Sequence, residues 1–200
     1  MGEGILNVLK IIGVLLLLPF VFVFATAFPG HLEVYPYKAK VFFLWGGAVS
    51  VGVFLFVTSL RVFHDFGQKL MRGLFAFATP LEDFLSLCFP FYPIIILFIF
   101  FLVQTFFHTN TYNDYFLFSV GFTYVLHLML VARDLQERES GPLRLTYFFK
   151  FAVIFLISAL VVLLLCDLAF GKWTFFQFWK KAVPQVSQIY QKLFRLLTFR

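Results

Sequence analysis

His64 and Gln68 stand four residues apart in the pentapeptide His64-Asp65-Phe66-Gly67-Gln68. On a helix that spacing puts both side chains on one face. Zinc hydrolases use the same spacing as His-Glu-x-x-His, where two imidazoles hold Zn²⁺ and the glutamate takes a proton from metal-bound water. Here the first imidazole stands, Asp65 replaces the glutamate one methylene short, and Gln68 replaces the second imidazole. An amide oxygen is a poor ligand for zinc, so the pentapeptide alone carries little chemistry.

His127 is the second candidate, because it lies inside a long apolar run where an ionisable group is costly. His64 falls just past the basic end of an earlier run, so the two imidazoles can approach at similar depth. Together they are candidate metal ligands, or axial ligands of a haem. The structural alternative is a neutral imidazole hydrogen-bonded to a carbonyl or hydroxyl. Asp65 is the vestigial catalytic candidate. His31 and His108 fall at run ends or in loops and are read as structural. Cys88 and Cys166 sit inside separate runs without Cys-x-x-Cys spacing, as small packing residues rather than a disulfide. The chain has no Gly-rich phosphate loop, no Gly-x-Ser-x-Gly elbow and no repeat.

The elements that must position these groups are five apolar runs, at about 5–28, 41–60, 84–107, 115–132 and 147–170. Each is long enough for a helix to cross ~30 Å of hydrocarbon. With 62% hydrophobic, 22% aromatic and 13% charged residues, the composition excludes a soluble domain, which carries about 25% charge. The expected fold is all-α: a polytopic domain over 1–170 with about five transmembrane helices, then a basic amphipathic tail over 171–200. Ala25-Thr26-Ala27 imitates a signal-peptidase site. The run before it is too long, and Glu3 offsets the single Lys10, so a retained transmembrane helix is expected. Pro90 and Pro93 predict a bent or re-entrant third span.

Basic loops orient the chain. Arg61, Lys69, Arg72, Arg133, Arg138 and Arg144 gather on one side, which predicts a cytoplasmic N-terminus in a bacterial inner membrane. The tail contests this, because five crossings leave its Lys180, Lys181, Lys192 and Arg195 outside; the C-terminus is left open. Val186, Ile189, Tyr190, Leu193 and Leu196 recur at helical spacing, predicting an amphipathic helix in the membrane surface or against a partner subunit. The net charge of +6 fits anionic headgroups and calls for no nucleic acid.

Leu60–Ala76, with the pentapeptide at its centre, resembles the entry to the active-site helix of bacterial membrane zinc peptidases related to site-2 protease. Tyr35–Lys40, Phe89-Pro-Phe-Tyr-Pro93, Phe122–His127 and Tyr147-Phe-Phe149 are similar to other stretches of that group, so the resemblance covers roughly residues 35 to 165. It implies a helical scaffold with a zinc site at His64. Against it, the glutamate and second histidine are replaced, and no Asn-Pro-Asp-Gly ligand follows. Asn113-Asp114, the nearest pattern, falls on the opposite side from His64.

The reading is a non-catalytic, degenerate member of this scaffold, acting through a membrane partner or as a complex subunit. Its partners are the bilayer and another membrane protein. The alternatives are an active intramembrane zinc peptidase with unusual ligands, zinc being the possible cofactor, and a redox subunit binding haem or quinone.

Overall fold

The computed structural model describes residues 2–35, 38–57, 60–79, 81–107, 112–138 and 145–198. His108, Arg144 and Phe199 lie outside the described residues. Every described element is helical: α1 (Gly2–His31), α2 (Ala39–Phe56), α3 (Leu60–Leu74), α4 (Glu82–Cys88), α5 (Phe91–Phe107), α6 (Asn113–Arg138), α7 (Leu145–Ala169) and α8 (Phe175–Thr198), with short 3-10 turns after α1 and α3. The protein is an all-α polytopic helical protein. Among the described residues four helices (α1, α2, α6 and α7) are long and apolar enough to span a membrane, and α4 with α5, bent by 56°, is apolar enough for a broken span or a re-entrant loop. The bend falls at Phe89–Pro90. Proline cannot donate to the helix ladder, and it disfavours helical backbone in the residue before it.

In lipid, apolar burial does not drive helices together, so close backbone approach must do so. α2 and α6 meet this way. A Cβ on Gly46 would stand 2.0 Å from the carbonyl oxygen of Phe118, and one on Gly121 would stand 2.1 Å from that of Phe43. Around this contact the core is aromatic: Phe28 packs on Phe43 at 5.5 Å between ring centroids, and Phe100 stacks on Phe116 at 4.2 Å.

Two helices are amphipathic in distinct ways. α3 turns His64, Gln68 and Met71 inward, while Val62, Phe63, Phe66 and Leu74 on its outer side are exposed. α8 buries Phe178, Ala182 and Val186, one residue per turn, against the rest of the protein. α1, α8 and their neighbours are pinned at the other end from α3 by a buried carboxylate, Asp167, described below.

Candidate functional site

α3 places His64 and Gln68 on one face, as their spacing predicts. Gly67 lets that face approach α5, since a Cβ there would stand 2.9 Å from the Phe91 ring. Tyr92 then donates its hydroxyl to the Phe63 carbonyl, fixing α3 on α5. The Gln68 amide nitrogen lies 2.6 Å from His64 Nε2 and 3.5 Å from Asp134 Oδ2, so its two N–H groups serve an imidazole and a carboxylate at once. Asp134 Oδ2 also stands 3.5 Å from His64 Nε2. All three side chains are buried.

His127 completes the cluster. It stands seven residues, about two turns, before Asp134, the i, i+7 repeat that returns to the same face of α6. Its ring centroid is 6.3 Å from that of His64. The break after α4 leaves the last carbonyls of that helix without intrahelical donors, and His127 Nε2 donates to one of them, Leu87 O, at 3.1 Å. The cavity beside the two histidines measures about 10 Å³, room for roughly one water. A porphyrin does not fit there.

The structure thus brings His64 and His127 together, with Gln68 between His64 and a residue the sequence reading passed over, Asp134. Asp65, one residue along α3, is exposed. Asn113 and Asp114 sit at the far end of α6, away from the cluster. Among the described residues no three His, Cys, Asp or Glu side chains meet at metal-binding distance. His64 Nε2 and His127 Nε2 are both engaged in hydrogen bonds. Cys88 and Cys166 are free and buried.

A second polar cluster closes the opposite end. The Asp167 carboxylate accepts from the backbone N–H groups of Thr174 and Phe175 at 2.8 Å each, capping the start of α8 from α7. It also accepts from the hydroxyls of Tyr35 at 2.7 Å and Thr174 at 2.6 Å. His31 Nε2 lies 2.9 Å from the Thr174 hydroxyl, and Lys172 donates to Val34 O at 2.6 Å. Burial pushes the Tyr35 hydroxyl well above the usual phenol range, with Asp167 adding to the shift. Four hydrogen bonds on one buried carboxylate describe a structural clamp, with His31 joined to it through Thr174.

A larger groove of about 420 Å³ opens between α5 and α6 beside Phe100, Tyr115, Phe116 and Ser119, with largely apolar walls. Comparison of the chain with protein-family models, curated proteins and solved structures finds no match.

Proposed function

We propose that this protein is a non-catalytic integral membrane protein that works as a subunit, through contacts with another membrane protein. The scaffold is of the kind used by membrane zinc peptidases related to site-2 protease, with its chemistry lapsed. One observation carries the reading: the polar cluster is closed on itself. Gln68 occupies His64, Leu87 O occupies His127, Asp65 faces outward, and about one water fits between them. A hydrolytic site needs an open ligand position and space for a scissile bond. In this reading the side rich in Lys69, Arg72 and Arg133 is the cytoplasmic face of a bacterial inner membrane, with the N-terminus on it.

The test is mass measurement on the protein lifted from its own membrane in polymer-bounded nanodiscs. A particle with protein mass beyond the 23.3 kDa chain is expected. A lone chain, or zinc at one equivalent that vanishes in His64→Ala, overturns the reading.

A second reading is favoured by one specific distance, the 6.3 Å between the His64 and His127 rings, with Asp134 beside His64. Rotation of Gln68 away would free His64 Nε2 and Asp134 Oδ2, and a shift of α3 against α6 would then have to bring His127 to them to complete a donor set suited to zinc. His127 would then ligate through Nδ1, or give up its bond to Leu87. Gln68→Ala tests this: tighter zinc binding than wild type supports a latent metal site, and unchanged zinc content removes it.

A further inference from the structure

α8 follows α1 inward from the clamp. Phe178 packs on His31 and Phe24, with ring centroids 5.3 and 4.9 Å away. Further along α8, Tyr190 rests on Phe20 at 6.4 Å and donates its hydroxyl to Leu16 O. Leu16 and His31 are roughly 22 Å apart along α1 at 1.5 Å per residue, and both belong to the apolar span Val8–Val34. α8 therefore descends through most of the depth of α1. Its 24 residues reach about 36 Å, long enough to cross ~30 Å of hydrocarbon, although α8 is not among the helices apolar enough to cross by composition.

Away from α1, α8 exposes Phe176, Val183 and Phe194 along one flank and a polar strip along the other. Gln185, Gln188 and Gln191 are exposed along its middle, between Lys180 and Lys181 near one end and Lys192 and Arg195 near the other. No Asp or Glu occurs in 168–200. Acyl chains cannot satisfy such a face, and polar side chains at that depth are covered by protein or by water. The charges choose among the occupants. A second copy shares this copy's orientation and would bring lysines against lysines. Anionic headgroups reach the two ends and leave the glutamines between them bare. A helix with carboxylates near both ends and hydrogen-bonding side chains between satisfies the whole face.

We propose that α8 crosses the membrane as a sixth element and that its outer face docks an acidic transmembrane helix of a partner protein. This rests on the partner-binding reading above and names the surface and the chemistry of the partner. It also returns Lys192 and Arg195 to the side that carries Lys10, Lys69 and Arg72, where basic residues concentrate.

The experiment uses the full chain, fluorophore-labelled at its N-terminus, in phosphatidylcholine vesicles. The probe is a synthetic Leu/Ala transmembrane helix with Glu facing each lysine pair and Gln midway; its control carries Lys in place of Glu. Energy transfer is expected to show the acidic helix bound at least about tenfold more tightly, about 1.4 kcal/mol. The quadruple variant Lys180→Glu, Lys181→Glu, Lys192→Glu, Arg195→Glu should invert that preference. Where that variant fails to fold, Gln185→Leu with Gln188→Leu should weaken the acidic helix alone. Equal binding of the two helices overturns the proposal. So does self-association of the chain through α8, or a preference that appears only in phosphatidylserine-containing vesicles. Labelling of Gln188→Cys by an aqueous maleimide from outside overturns the crossing. If the helices bind alike while native nanodiscs still hold a larger complex, only the role of α8 fails. A lone chain in those nanodiscs removes the partner reading itself.

Discussion

His64 Nε2 and Asp134 Oδ2 face each other at 3.5 Å across the contact of α3 with α6, and the Gln68 amide donates to both. The outer side of the short helix α3 exposes Val62, Phe63, Phe66 and Leu74, while His64 and Gln68 are buried. The cluster ties α3 to α6, beside the Tyr92 bond to α5 and the Arg72–Asp83 pair with α4 at 2.9 Å, and its members are not independent.

Asp134→Ala should destabilise the protein by about 1–3 kcal/mol, the cost of leaving a buried amide donor without its acceptor. Asp134→Asn returns an acceptor oxygen and should recover more than half of that. Unfolding in mixed micelles by added denaturing detergent reads both. An alanine variant as stable as wild type would show that the carboxylate contributes nothing to docking α3.

Gly121→Val should be far worse, at or above about 3 kcal/mol, because the added carbon meets backbone rather than a side chain that can rotate. The Phe43 carbonyl oxygen stands 2.1 Å from where that Cβ would be. Gly52→Ala on α2 is the contrast. Nothing lies within 4 Å of its Cβ position, and helix propensity favours alanine by up to about 1 kcal/mol. Loss of monodisperse protein in the first and an unchanged or raised melting point in the second are expected by size-exclusion and thermal unfolding. Equal behaviour of the two removes the close α2–α6 contact as the reason for these glycines.

Much of this was legible in the chain. The spans follow from apolar length, and the break at Phe89–Pro90 follows from proline. The shared face of His64 and Gln68 follows from local periodicity. Asp134 was not legible, because Ala132–Thr146 is polar enough to read as a loop. In the structure α6 runs on to Arg138, helped by the i, i+4 pair of Arg133 and Glu137 at 3.1 Å. That extension carries Asp134 round to the face of His127. Asp167 was hidden for another reason: a carboxylate at a span end looks solvated until the turn before α8 folds back on it. The periodicity of 175–198 shows that α8 is two-faced, but only tertiary packing reveals that its apolar seam is seated on α1.

Asp167→Ala should release the start of α8. The carboxylate satisfies two backbone N–H groups and two hydroxyls, and charged hydrogen bonds of this kind are worth about 1.5–3 kcal/mol each without adding fully. A loss of about 3 kcal/mol is expected, and α8 should fray first. Trypsin added to proteoliposomes reads this directly, through faster cleavage at Lys180 or Lys181. Cleavage no faster than in wild type would show that packing on α1 holds α8 without the clamp.

Tyr35 makes the same clamp pH-dependent. Its hydroxyl is held above the ordinary phenol range chiefly by burial, with Asp167 among the lesser causes, while in the unfolded chain it titrates near ~10. The folded state therefore keeps a proton that the unfolded state sheds. The contribution is fully present below pH ~10 and falls by up to about 1.4 kcal/mol per pH unit above it, since the unfolded chain then binds fewer protons. Tyr35→Phe removes this term along with the hydrogen bonds to Asp167 and Thr174. Between pH 9.5 and 11 the wild type should lose about 1 kcal/mol more than Tyr35→Phe, because lysines and the other tyrosines titrate alike in both and cancel in the difference. Parallel stability curves for the two proteins would mean that the Tyr35 hydroxyl ionises in the folded state as readily as in the unfolded chain, and the clamp would then have to open in alkali without unfolding.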